Sequence, residues 1–247
     1  MPAYKIYKDS ISKTSSRKFF NFLLNVIKSY ENDFCKKNVN LNWDDRNFNR
    51  ELIKLRKNKK DVFSSIYNSL LKSNELQKIP FENKLHQIAS DYLSINQSKL
   101  SIRSITFRMD PPNDKRNSYG WHQDSAYDKF NVDSKNGAIL WIPFSNTTKK
   151  NGTLMIKTGS ENSTFHCSKL YKKGTKYISR QILVQKKFLK KYKSKHVPVK
   201  KNNALVTYNG IFHKSGNNTS KNFRFTLVVR YGNLFAKDFI YRRNLEK

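Results

Sequence analysis

Three residues from the middle of the chain onward could together ligate a metal, and two of them stand two positions apart. They are His122 and Asp124 in the run Trp121-His122-Gln123-Asp124, and His213 further on. On extended backbone alternate side chains project to one side, so His122 and Asp124 can offer an imidazole nitrogen and a carboxylate oxygen to one ion. The pair alone is weak evidence, because a loop Asp accepting a hydrogen bond from a nearby His gives the same pattern. His213 supplies a third ligand. It follows the apolar run Ala204-Leu205-Val206-Thr207-Tyr208 and precedes a turn rich in Gly and Asn, the strand-to-loop position where ligands sit at barrel mouths.

Two His and one carboxylate on one face of a metal leave the opposite positions open. That donor set suits the facial triad of non-haem Fe(II) oxygenases, with zinc plus a bound water as the rival. The segment His213-Lys-Ser215-Gly-Asn-Asn218-Thr-Ser220-Lys-Asn-Phe-Arg224 favours iron. It turns and enters a strand on which Arg224, Thr226 and Val228 face one way and Phe223, Phe225, Leu227 and Val229 the other. A buried Arg with no carboxylate partner is very costly, and a dicarboxylate cosubstrate gripped in its planar fork removes that cost. A protein Asp or Glu would do the same, but the chain holds only 18 acids and few are near in sequence.

Trp-His-Gln-Asp, then Asn151-Gly-Thr-Leu-Met-Ile-Lys-Thr-Gly-Ser160, then His213-x-Ser-x-x-Asn-x-Ser-x-x-x-Arg224, resembles the phytanoyl-CoA dioxygenase family over roughly residues 100 to 231. The resemblance implies a double-stranded β-helix, or jelly roll, and an enzyme using Fe(II), 2-oxoglutarate and O2. It implies His122, Asp124 and His213 as iron ligands and Arg224 as anchor of the distal carboxylate of 2-oxoglutarate, with Ser215 placed to support that carboxylate. Related halogenases lack the carboxylate ligand, so Asp124 favours hydroxylation or another oxidation. The chain departs from the family at Thr158-Gly159-Ser160-Glu161, where Pro-Gly-Ser-His is frequent; this leaves the substrate side of the pocket open.

Two lesser candidates stand on strand-like runs. Arg108, in Ile105-Thr-Phe-Arg-Met, can face the pocket or form an exposed salt bridge. Trp141, in Ile139-Leu-Trp-Ile-Pro, can line the cosubstrate site or belong to the core.

The elements that must position these residues fall into two halves. Residues 1–97 read as a helical segment of the same domain. Phe19, Phe20, Phe22, Leu23, Val26 and Ile27 have helical spacing behind Ser16 as a cap. A second helix is expected from about Asp61 to Leu76, and a third after Pro80 through Leu93. From residue 98 to 247 strand-like runs follow at Ser101–Met109, Tyr119–His122, Ala138–Phe144, Thr153–Ile156, Ala204–Tyr208 and Phe223–Tyr231, separated by Pro, Asn and Gly turns. The fold expected is mostly β with helices (α+β): a double-stranded β-helix (jelly-roll, cupin-like) core with the N-terminal helices packed on one sheet. A Lys-rich insertion at about 165–201 is read as a short amphipathic helix or a loop.

At 247 residues with 13% aromatic content the chain can bury one good core. It has no apolar run of spanning length, no secretory leader pattern at its first residues, and only Cys35 and Cys167. A cytoplasmic location and no membrane span are the expectations. The net charge of +31 suits a polyanion, an anionic surface or an anionic small substrate, but Lys outnumbers Arg 37 to 12 and no base-reading motif accompanies it. Lys-, Asn-, Ile- and Phe-rich usage reads better as codon bias, so no specific nucleic acid is expected as a partner. The function expected is an Fe(II)- and 2-oxoglutarate-dependent dioxygenase hydroxylating a small organic substrate, the charge admitting an anionic one. The alternatives are a basic polyanion-binding protein and a zinc hydrolase on a similar barrel.

Overall fold

The computed structural model describes residues 2–36, 40–114, 118–128, 134–163, 167–169 and 181–239. Five helices come first after strand β1 (Tyr4–Tyr7): α1 (Lys13–Tyr30), α2 (Arg46–Asn58), α3 (Lys60–Lys72), α4 (Asn74–Glu82) and α5 (Leu85–Leu93). The helix α1 starts earlier than its apolar stripe suggested. Ser12, rather than Ser16, is the cap, its hydroxyl accepting from the Ser15 N–H, while Ser16 is buried beneath Trp43. The expected helix from Asp61 to Leu76 is two helices. Ser73 adopts extended backbone, closes α3 and caps α4 by accepting from the Leu76 N–H. The helix α2 was not foreseen, because its Arg- and Lys-dense sequence buries only Phe48, Asn49, Leu52 and Leu55; Asp45 starts it by accepting from the Phe48 N–H.

The strands that follow are β2 (Leu100–Asp110), β3 (Gly137–Pro143), β4 (Met155–Thr158), β5 (Cys167–Lys169), β6 (Ile182–Val184), β7 (Lys193–His196), β8 (Ala204–Tyr208), β9 (His213–Lys214) and β10 (Arg224–Asn233). Two short helices, α6 (Ser125–Asp128) and α7 (Lys186–Leu189), lie among them. All pairings are antiparallel. One sheet runs β1-β8-β3-β10-β2, a second β7-β4-β9, and β5 pairs with β6. The jumps in strand order, with consecutive strands passing from one sheet to the other, give the expected double-stranded β-helix. One expected strand is absent: Tyr119–His122 forms no ladder, and only His122 bridges, to His213. Of the Lys-rich insertion, residues 165–166 and 170–180 lie outside the described residues, and the rest contributes β5, β6, α7 and the edge strand β7.

Alternation along β10 separates two cores. Phe225, Leu227, Val229 and Tyr231 turn toward the helices and join Phe19, Phe20, Phe48, Ile66, Phe107 and Phe144. Val228 turns between the sheets with Ile139, Trp141, Leu154, Ile156, Leu205 and Ile211. The helices thus shield the back of the large sheet, leaving its front face for the site. Trp43, ahead of α2, joins the layers: its ring centroid is 4.5 Å from that of Phe144 and 5.0 Å from those of Phe20 and Phe225. We predict that Trp43→Ala lowers unfolding free energy by about 3–5 kcal/mol, the usual cost of deleting a buried aromatic. Chemical denaturation with an unchanged m-value would show it; a shift below about 1 kcal/mol would mean that the aromatic cluster does not join helices to sheet.

Candidate metal centre

Reciprocal backbone bonds bring the two histidines together. The His122 N–H donates to the His213 carbonyl at 2.9 Å and the His213 N–H donates back at 3.1 Å, leaving the ring centroids 4.2 Å apart. Each ring is then oriented by its other nitrogen. His122 Nδ1 lies 2.8 Å from the Gly120 carbonyl and His213 Nδ1 lies 3.0 Å from the Ile211 carbonyl. A carbonyl can only accept, so both Nδ1 atoms carry the proton and both Nε2 lone pairs face inward. Asp124 stands at the entry to α6, and its Oδ1 lies 3.3 Å from His122 Nε2 and 3.4 Å from His213 Nε2. The ligand atoms of all three buried residues fall within 4.8 Å of one another. Two neutral imidazole nitrogens and one carboxylate oxygen at this separation fit a divalent transition metal.

The electrostatics favour that state. Burial and the neighbouring His213 push His122 below its ordinary pKa, so it stays neutral into mild acid. Burial alone would raise Asp124, but the Arg230 guanidinium outweighs it and holds the carboxyl well below its usual range. Arg230 was not foreseen as a site residue. Its Nε donates to Asp124 Oδ2 at 2.5 Å and its Nη1 to the Ser104 hydroxyl at 3.3 Å. The signal was present, since Arg230 continues the Arg224, Thr226, Val228 alternation.

A cavity of about 240 Å³ opens before the three ligands. Ser104, Thr106, Arg108, Val228 and Arg230 form one wall, with Ile139, Trp141, Leu154 and Ser215 beside them and Tyr119 and Tyr127 across. Arg108, Trp141 and Ser215 therefore all face the same space as the metal ligands. A larger cleft of about 910 Å³ on the helix side, lined by Arg46, Arg50, Lys54, Lys150 and Lys221, lies away from these ligands.

Arg224 requires a correction. It does not line the cavity, and it does have a protein carboxylate: its Nη2 donates to Asp110 Oδ2 at 2.8 Å and its Nη1 to the Gly216 carbonyl at 3.2 Å. The antiparallel register of β10 on β2 sets Arg224 opposite Asp110, a pairing across 114 positions that local sequence cannot display. Arg108 grips the same carboxylate through Nη2 at 2.8 Å and Nε at 3.2 Å. Among the described residues, two buried atoms beside this cluster lack hydrogen-bond partners: Arg224 Nε and Thr226 Oγ1. Adjacent orphan donors on the inner face of one strand fit the terminal carboxylate of a dicarboxylic acid.

The glycine motifs build the floor. At Gly152, φ is +81°, and an added Cβ would lie 2.7 Å from Arg224 Nη1 and 2.5 Å from the Gly216 carbonyl, so only glycine fits. Ser160 accepts from the Phe212 N–H at 2.9 Å and donates to the Lys157 carbonyl at 2.6 Å, fixing the backbone just before His213. Asn218 bonds the carbonyls of Asp110 and Asn222 and accepts from Ser220, closing the loop between His213 and Arg224. His166, near the departure from the family pattern, lies outside the described residues.

A model of the phytanoyl-CoA dioxygenase (PhyH) family matches residues 34–226. The chain belongs to the phytanoyl-CoA dioxygenase family. Among solved structures, the PhyH chain is similar to the epimerase SnoN in complex with Fe3+, alpha ketoglutarate and nogalamycin RO, with a TM-score of 0.60 and 9% identity over 94% of this chain and 79% of that one. The alpha ketoglutarate-dependent carbocyclase SnoK gives 0.58 at 14% identity, covering 94% and 80%. The non-heme monooxygenase ThoJ in its apo form gives 0.54 at 17%, covering 94% and 74%. At these identities the likeness concerns the fold. A search of curated proteins found no match to the chain.

The buried Asp110 gives a pH signature. Burial opposes its ionisation, but Arg108 and Arg224 hold its pKa below the ordinary value. A depressed carboxyl stabilises the fold fully above the unfolded-state pKa of about 3.9 and loses that contribution as pH falls through the folded value. We predict that Asp110→Asn is less stable than wild type at neutral pH by about 3 kcal/mol or more, because it leaves two buried guanidiniums short of charge. The gap should narrow below about pH 4. Denaturation curves at a series of pH values would measure it; a gap independent of pH would refute the ion-pair account.

Proposed function

We propose that this PhyH-family protein is an Fe(II)- and 2-oxoglutarate-dependent dioxygenase that hydroxylates a small organic substrate. The observation that carries this reading is the convergence of His122 Nε2, His213 Nε2 and Asp124 Oδ1 on one point at a cavity wall. The orphaned donors Arg224 Nε and Thr226 Oγ1 support the cosubstrate. Iron and 2-oxoglutarate, when bound, supply an O2-dependent oxidation of a substrate C–H bond with release of succinate and CO2.

The chain's own residues have separable tasks. His122 and His213 present lone pairs fixed by their Nδ1–H bonds to backbone carbonyls, so ligation needs no reorientation. Asp124 offers Oδ1 while Arg230 occupies Oδ2, which favours a carboxylate bound through one oxygen and leaves coordination positions open. Arg224, Thr226 and Arg108 hold the distal carboxylate. Among the described ion pairs, Arg108, Asp110 and Arg224 sum to one positive charge, which one carboxylate would neutralise. Ser215 lines the cavity beside the metal ligands, and Trp141, Leu154 and Val228 give it an apolar wall that excludes water. Asp124 keeps the third ligand position, which supports hydroxylation or another oxidation over halogenation.

Iron-dependent succinate release from 2-oxoglutarate tests the reading. His122→Ala and Asp124→Ala should each lower it more than about a hundredfold, since outer-shell partners of a metal alone are worth 10–100-fold. Arg224→Lys should raise the KM for 2-oxoglutarate about tenfold while kcat falls less, as expected for loss of a planar fork that binds ground and transition states alike. Retained turnover in both ligand variants would overturn the metal assignment. An unchanged KM in the Arg224 variant would move the anchor to Arg108.

A further inference from the structure

Arg230 holds more hydrogen-bonding capacity than its two partners use. Its Nε and Nη1 are bonded to Asp124 and Ser104, and among the described residues Nη2 has no partner. The side chain is a quarter exposed, and that exposure is toward the cavity it lines. Ser104 and Thr106, on the strand paired with β10, stand beside it with hydroxyls on the same wall. Among the described residues lining the cavity, Asp124 is the single acid.

The charges point the same way. Arg108, Arg224 and Arg230 carry three positive charges, and Asp110 and Asp124 two negative ones, leaving one positive. The proposed divalent ion and dicarboxylate cancel each other, so that excess survives in the loaded site. The distal carboxylate neutralises the Arg108–Asp110–Arg224 cluster. The excess therefore falls at the other end, where the metal competes with Arg230 for Asp124. A guanidinium in a half-enclosed cavity, with its counter-ion shared, gains most from a second oxyanion.

We propose that Arg230, with Ser104 and Thr106, is the subsite for an anionic group of the substrate, a carboxylate or a phosphate, held next to the metal. This rests on the functional reading above and adds a substrate class to it. A planar fork that keeps one edge on Asp124 and offers Nη2 to the substrate would also register the substrate against the metal. The target C–H bond then lies within a few bonds of the anionic group, because the cavity is only about 240 Å³.

The test uses inorganic phosphate as probe and Co(II) as an oxygen-tolerant stand-in for iron, on full-length protein with saturating 2-oxoglutarate. Phosphorus NMR line broadening by the paramagnetic ion reports only phosphate close to the metal. Wild type should show saturable broadening. Arg230→Met should weaken it about tenfold or more, as expected for a lost charge-assisted contact, while Arg230→Lys stays within about threefold. Lys221→Met, in the remote basic cleft, should leave it unchanged. Equal binding in Arg230→Met, or an equal loss in Lys221→Met, would overturn the proposal. So would loss of bound Co(II) in both Arg230 variants, which would make Arg230 a support of the metal ligand alone. Calorimetric titration of 2-oxoglutarate on the same samples keeps the two readings apart: its failure in wild type removes the cosubstrate, and phosphate binding is judged regardless.

Discussion

Two backbone hydrogen bonds, from His122 to His213 and back, are the contact on which the site depends. They join a segment with no strand of its own to β9, a strand of two residues, and so close the small sheet over the front of the large one. Side chains of a directly bonded antiparallel pair lie on the same face, so this bridge alone sets two imidazoles side by side. The neighbouring structure serves to keep it: Ser160 holds Phe212, Gln123 donates to the Gly210 carbonyl at 2.8 Å, and the Ser125 N–H reaches the Asn209 carbonyl. A metal ion would then add cohesion to a pairing that is already made, rather than assemble it.

Buried charge is the second organising feature, and it is arranged in two sets along β2 and β10. At one end Asp110 serves Arg108 and Arg224; at the other Asp124 serves Arg230 and the metal ligands. Each set holds its carboxylate ionised in spite of burial. The sets also differ in what they leave unfilled: a buried Nε and hydroxyl at Arg224 and Thr226, and a cavity-facing Nη2 at Arg230. The same two strands thus offer one anion position deep between the sheets and one at the metal. These five groups, three of them buried, sum to a single positive charge, a small part of the chain's net +31.

Much of this was legible in sequence because it is local or periodic. The alternation of β10 showed which side chains face inward, and the spacing of His122 and Asp124 survived although the segment is a turn entering α6 rather than a strand. Non-local pairing was not legible. The partner of Arg224 is Asp110, which only the β2–β10 register reveals, and the low acid count argued wrongly for its absence. Arg230 was passed over because it stands beyond the motif, although it obeys the same period. Among the helices, the break at Ser73 failed to show because apolar spacing continues across it, and α2 failed because its charges outnumber its buried residues.

The central claim is that His122, Asp124 and His213 hold one iron to which 2-oxoglutarate chelates while its far end is anchored at Arg224 and Thr226. Anaerobic addition of Fe(II) and 2-oxoglutarate to the purified protein tests it most directly. The account predicts one Fe(II) per chain and a weak visible chelate band that saturates with 2-oxoglutarate and is absent from Asp124→Ala. Stoichiometric iron without that band, or a band that persists in Asp124→Ala, would contradict it.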